Sequence, residues 1–330
     1  MAPVRISLSC SATDRTRPLV ENRVKLDGYE LDIFIAEPQD CFRMALNQQR
    51  FAVTEMSMGT QLVTAARGDA AYVAIPVFLS RAFRHSAIYI RADRGIRIAA
   101  DLAGRSIGSP EYQQTAALWV RGMLANQFGV DLNSVTWRTG GLDVKGVGER
   151  TPLESTGARK VVPIGPDETL DGLLRSGDID AIISPRAPPC FLDGGAPVAR
   201  LFPDVMEAEA AYYRATGFFP IMHCLAIRKD VAETHPELPL HLFRAFCQAK
   251  AVAQRDLEMI NYLRVSLPWA ADHLAKVRDI MGPNPWRYGF KASLDELAAM
   301  ADYAHADGLT KRRIDPRELF HPATLDAEEA

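Results

Sequence analysis

His223 lies in the apolar stretch FPIMHCLAI. An unperturbed imidazole titrates near neutrality, so this residue is suited to moving a proton. It is read either as a general acid or as a satisfied core histidine. Glu55 and Ser57 close the strand-like segment FAVTEMS. Glu55 could accept a hydroxyl proton and Ser57 could hydrogen-bond a ligand. The other reading pairs Glu55 with an arginine and leaves Ser57 as a helix cap. Arg186 directly follows the apolar run in DIDAIISP. Its planar fork matches a carboxylate, though a salt bridge would use it equally well. Tyr112, Gln113 and Thr115 fall at the start of an expected helix, where unpaired N–H groups favour an anion. Plain capping by Ser109 with Pro110 at the first position is the alternative. Arg81, Arg84 and His85 cluster in SRAFRHS, facing either an acidic ligand or acidic side chains. Arg43, early in a helix, reads as a surface residue, and Trp119 as core.

These residues must be positioned by an alternation of short apolar strands and amphipathic helices. Strands are expected at 4–9, 31–36, at FAVTEMS ending near Ser57, and at 71–75, closed by Pro76. Asp40 reads as the N-cap of the helix CFRMALNQQ, and Gly68 as the stop of a helix through Leu62–Arg67. The pattern restarts after SAIYIR at 86–91. A strand in RSIGS is followed by a helix with Ala117, Val120, Leu124 and Phe128 at helical spacing, ended by Gly129. SVTWRTGG is a strand and turn, 143–167 is a long excursion, TLDGLLRSG is a short helix and DIDAIISP a strand. FPIMHCLAIRKDV reads as a returning strand. Helices follow at about 237–263, 270–281 and 293–307, and the tail after Asp315 is expected to be loosely held. Such alternation implies largely parallel sheets covered by helices. The segments 86–91 and 219–228 are candidates for two crossovers. One lobe, 1–90 plus 221–330, then contains both termini, and 91–220 is inserted as the second. Ligands in open parallel sheets bind at the carboxyl ends of strands, so a cleft between the lobes is the expected site.

The 330 residues are 48% hydrophobic and 24% charged, with a net charge of −3. That is a globular composition with no basic surface for nucleic acid. No window approaches the ~18 apolar residues of a membrane span. The N-terminus shows no signal-peptide pattern, and a cytoplasmic location is expected. Cys10, Cys41, Cys190, Cys224 and Cys247 are scattered, without the spacing of a disulfide framework or a zinc site. No HxH or HExxH metal spacing and no nucleotide-binding glycine loop occurs. No cofactor is expected, although a divalent ion stays open. So does a homo-oligomer.

The segments IPVFLSRAFRHSAIYIR, GSPEYQQTAALWVRGML, GDIDAIISPRAPP and TGFFPIMHCLAIRKD together resemble the 4,5-dihydroxyphthalate decarboxylases. The likeness runs from about residue 4 to 320. It implies the type 2 periplasmic-binding-protein-like fold, a two-lobed α/β architecture. It also implies a small aromatic carboxylate as substrate, with neither nucleic acid nor membrane as partner. The GDIDAIIS phrase recurs in binding-protein lobes and speaks for the fold alone. The implied reaction removes one carboxylate from a dihydroxylated aromatic dicarboxylate to give protocatechuate, in aromatic-acid catabolism. Direct loss would leave an aryl carbanion. Protonation of the carbon bearing the carboxylate, driven by its para hydroxyl, avoids that species. This requires a general acid, an acceptor for the hydroxyls and donors for the retained carboxylate. The resemblance implies His223 as the acid and Glu55 on the hydroxyl side. Arg186, Ser57, Tyr112, Gln113, Thr115, Arg81 and His85 are the binding candidates. The alternative class is a non-catalytic binding protein or sensor for aromatic carboxylates. A third reading is another enzyme on the same scaffold, such as a carbon–oxygen lyase or a thiamine-pathway enzyme.

Overall fold

The computed structural model describes residues 3–329. The chain forms two compact units. One contains the chain up to Arg81, Ile221–Leu297 and the segment from Asp315 onward; the other contains Ala82–Pro220 and Ala298–Ile314. The first boundary thus precedes the expected 90/91, because the strand after it pairs within the second unit. Residues 298–314, assigned from sequence to the first lobe, pack with the second.

The first sheet is built from β1 (Val4–Cys10), β2 (Tyr29–Ile35), β3 (Val53–Ser57) and β4 (Tyr72–Arg81). In the second unit follow β5 (Ile88–Arg91), β6 (Ser106–Ser109), β7 (Thr136–Thr139), β8 (Lys160–Pro163), β9 (Ala181–Ile183) and β10 (Val198–Arg200). β11 (Ile221–Arg228) returns to the first sheet. The strand orders are β2-β1-β3-β11-β4 and β10-β5-β9-β6-β7-β8. Each sheet has one strand running against the others, β11 in the first and β5 in the second. These are the two segments read from sequence as crossovers. The chain leaves the first unit at Arg81 and returns at Ile221, and those residues are ladder partners.

The local rules account for most boundaries. Gly68 ends the helix Met58–Arg67 in the left-handed region, at φ 81°, where a side chain is disfavoured. The helix after β2 is Pro38–Gln48, with Glu37 at the N-cap rather than Asp40; proline at the first helical position moved the start three residues earlier than expected. Pro76 does not close its strand, which runs on to Arg81. β4 lies at the edge of its sheet, and its pairing with β11 is irregular between Ile75 and Ser80. A proline is tolerated in such a place because no ladder N–H is required of it. The same edge is covered by the tail. His321 N–H donates to Ala74 at 2.8 Å, and Gly289 N–H donates to Pro76 at 2.8 Å. Leu319 and Phe320 are buried, and Lys250 binds Glu329 at 2.5 Å. The tail is therefore anchored rather than loose, because it shields an edge that would otherwise expose unpaired backbone.

In the second unit, helix Thr115–Asn126 is buried along most of its length. It contains Gly122, a residue that costs about 1 kcal/mol inside a helix relative to alanine. Packing explains its presence: a Cβ there would lie 2.1 Å from the Tyr303 ring. Gly122→Ala is expected to destabilise the protein by about 1–3 kcal/mol through overpacking, despite the gain in helix propensity. Thermal unfolding measures this. Removing the ring with Tyr303→Ala in the same background should recover part of the loss. A Gly122→Ala protein as stable as wild type would refute the steric reading.

Candidate functional site

The carboxyl edge of the first sheet gathers four polar side chains. β1 ends at Cys10 and delivers Ser11. β3 delivers Glu55 and Ser57. β11 runs the opposite way, so its beginning, with His223, reaches the same edge. His223 pairs with Ser57 across the ladder and Leu225 pairs with Glu55. Glu55 and His223 are therefore diagonal neighbours on one face, a separation that long side chains bridge.

His223 Nδ1 lies 2.6 Å from Glu55 Oε1. Glu55 is fully buried, while the His223 side chain is 18% exposed. Glu55 Oε2 accepts hydrogen bonds from Ser11 N–H at 2.8 Å and from Ser11 Oγ–H at 2.7 Å. Burial works to raise the Glu55 pKa. The hydrogen bond and charge of His223 and the two bonds from Ser11 outweigh it, so the carboxyl is held below its ordinary value. An ionised carboxylate only accepts, so Nδ1 is the donor of the pair. The remaining ring nitrogen, Nε2, makes no hydrogen bond among the described residues. Phe42 packs edge-on against the ring, with centroids 4.9 Å apart. The result is an imidazole fixed in tautomer and plane, with its exchangeable position on Nε2.

A pH effect on stability follows. The folded Glu55 titrates below its ordinary value of 4.5. The stability supplied by its ionised form is complete above that pH and is lost as pH falls through the folded value. Glu55→Gln should be less stable than wild type at pH 7, with the gap narrowing in acid. Urea midpoints against pH check this, and a gap constant through the acid range would contradict it.

The other candidates are placed differently. Ser57 is buried and caps helix Met58–Arg67, accepting from Thr60 N–H. Glu55 is fully buried, and its two oxygens are bound within the chain by His223 and Ser11. Arg81 is buried and bound to Glu296 at 2.8 Å, Arg287 O at 2.9 Å and Ser293 Oγ at 2.9 Å. It is an internal tie rather than a ligand contact. His85 is buried between Phe202 and Tyr212, and burial pushes its pKa down to about 4. It is packed among aromatic side chains, and neither ring nitrogen has a hydrogen-bond partner among the described residues. Arg186 is exposed and paired with Asp143 at 2.6 Å.

The helix expected after Pro110 starts at Thr115. Tyr112 and Gln113 lie in the preceding turn. Tyr112 is buried beneath the Arg121 guanidinium, 4.0 Å from its ring centroid. Gln113 is buried and donates to Thr151 O. The turn does hold a carboxylate, as its N–H groups would dictate, but the carboxylate is the chain's own. Glu149 Oε1 accepts from Tyr112 N–H at 2.5 Å. Burial raises the Glu149 pKa to about 7, against the lowering effect of the backbone donors. Ser11 and Glu149 were not singled out from the sequence. Ser11 had the same signal as Glu55, a polar residue at the carboxyl end of a strand. Among the described residues no group of three or more His, Cys, Asp or Glu side chains is arranged to hold a metal ion.

No family model matches the chain. The fold is similar to that of solved sulfonate-binding proteins. The periplasmic sulfonate-binding protein SsuA of Methylobacillus flagellatus superimposes with a TM-score of 0.56 over 97% of this chain and 92% of that one, at 14% identity. The aliphatic sulphonate binding protein SsuA of Escherichia coli gives 0.51 over 100% and 96%, also at 14% identity. Likeness at that level concerns architecture, and it confirms the two-lobed binding-protein-like fold. Sequence is more specific. A 4,5-dihydroxyphthalate decarboxylase of Comamonas testosteroni is 40% identical over 327 residues, 99% of each chain. A second, from Pseudomonas putida, is 41% identical over 219 residues, 66% of this chain and 84% of its own. Identity of this order along the whole length, on a binding-protein-like fold whose first unit carries a carboxylate-held histidine, places the chain in the 4,5-dihydroxyphthalate decarboxylase family.

Proposed function

We propose that the protein is a carboxy-lyase that converts 4,5-dihydroxyphthalate to protocatechuate and carbon dioxide, with His223 as the proton donor. The observation that carries the reaction is the 40% identity over 99% of the chain to a decarboxylase of that name. The arrangement of His223 supports its role. Its imidazolium, held in place through Nδ1 by Glu55, offers a proton from Nε2 to the ring carbon that bears the departing carboxylate. The para hydroxyl reacts as its phenolate, its proton having passed to bulk water, and supplies the electron pair that forms the new C–H bond; water reprotonates His223 after the step. Breaking the C–C bond then returns a pair to the ring and releases carbon dioxide. Glu55 takes no part at the substrate; it holds the ring of His223 and balances its charge. Carboxylate contacts from Arg186, or from the turn at Tyr112–Thr115, would require Asp143 or Glu149 to give way. The proposal for the chemistry therefore rests on His223. The place of the reaction is the breakdown of phthalate-type aromatic acids.

The test is incubation of chelator-treated protein with 4,5-dihydroxyphthalate, following protocatechuate by chromatography. Product formation is expected. Product only after a divalent ion is restored would keep the reaction and add a metal to it. Ligand-induced thermal stabilisation with no product under either condition would overturn the enzyme reading in favour of a binding protein.

A further inference from the structure

We propose that Ser11 is a positioning residue for proton delivery, acting on His223 through Glu55. The inference rests on the reading of His223 as the proton donor. Glu55 has two oxygens and each has its own occupant: Oε1 takes His223 at 2.6 Å, and Oε2 takes Ser11 twice, at 2.7 and 2.8 Å. A carboxylate held from both sides cannot rotate without giving up a bond, so the plane of the imidazole is set by Ser11 as much as by Glu55.

The other groups facing Glu55 leave this role to Ser11. Cys10 comes from β1, Cys41 from helix Pro38–Gln48 and Cys224 from β11, and all three are buried. Burial, followed by other effects including the Glu55 charge, pushes the Cys41 thiol up to about 12, and the Cys10 and Cys224 thiols are raised as well. All three are neutral where the enzyme works, and Glu55 keeps its charge through His223 and Ser11. Ser11 is itself anchored, since its carbonyl accepts from Thr16 Oγ1 at 2.9 Å. Ser11→Ala therefore deletes one bond to Glu55 and keeps both the backbone bond and the loop.

Loss of that hydroxyl makes the ionised carboxylate less favourable. Glu55 then takes up a proton at higher pH, and the imidazolium loses its counter-charge. Ser11→Ala is expected to lower kcat about ten-fold, the scale of one hydrogen bond to a charged group, with KM within about two-fold. The acid limb of the kcat profile should move up by about one pH unit. Ser11→Thr, which keeps the hydroxyl, should restore both. A purely structural role for Ser11 would leave the acid limb in place. If His223→Asn is inactive and Ser11→Ala keeps the wild-type kcat and acid limb, the proposal for Ser11 alone falls. If His223→Asn turns over normally, the donor assignment falls and the Ser11 proposal with it.

Discussion

His223→Asn should fold, bind the aromatic dicarboxylate with little change in KM, and turn over about 10²–10⁴-fold more slowly, the usual scale for removing a general acid. The asparagine amide is similar in reach to the imidazole Nδ1 and can still donate to Glu55. The buried carboxylate therefore keeps a partner, and the loss falls on chemistry rather than folding. Proton transfer to a ring carbon occurs in the transition state, so kcat and kcat/KM should fall together. Circular dichroism and ligand-induced thermal shift establish the first two points, and protocatechuate formation the third. A well-folded variant with wild-type turnover would remove His223 from the mechanism. A variant that loses binding along with turnover would make it a contact residue instead.

Arg81→Ala should be the most damaging of the stability substitutions, at about 3–5 kcal/mol, because it leaves a buried carboxylate without its cation. The side chains of Arg81 and Glu296 are 1% and 2% exposed, so solvent cannot take the place of either partner. The guanidinium also ties Arg287 O and Ser293 Oγ, drawing the segment 287–296 onto the end of β4. Since whole domains are stable by only about 5–15 kcal/mol, the alanine variant could be too weak to purify. Arg81→Lys keeps the charge but has no planar fork, and should show a smaller loss. The paired change Arg81→Met with Glu296→Leu removes both charges and should recover much of the stability. Denaturant midpoints distinguish these. Equal stability of Arg81→Ala and wild type would show that the pair is neutral to folding and reopen Arg81 as a ligand contact.

The architecture was legible because it is written in local patterns. Runs such as VRISLSC and IMHCLAIR, and glycines such as Gly68, mark strands and helix ends within a few residues of sequence. Where reading went astray, a distant partner had overridden the local signal. Pro76 does not end its strand because that strand lies on a sheet edge. The tail after Asp315 is not loose, because the same edge needs cover. The helix expected after Pro110 starts at Thr115, since the turn before it is occupied by Glu149, 37 residues on from Tyr112.

The site divides along the same line. Residue type and strand end were enough to single out Glu55 and His223 as chemically able residues. Their pairing across 168 residues, and the hold of Ser11 on Glu55 across 44, exist only once the sheet has formed. Arg81, Arg186 and Tyr112 had equally suggestive types and positions, yet each is engaged by a partner elsewhere in the chain. Sequence by itself determined most of the order of strands and helices, though not β8, β10 or the helix Val205–Thr216, and which side chains could transfer a proton or bind an anion. Those are properties of single residues and of short-range periodicity. Tertiary structure decided which of those side chains are spent on the protein and which keep a position to react, because hydrogen bonds and ion pairs between distant residues form only through folding.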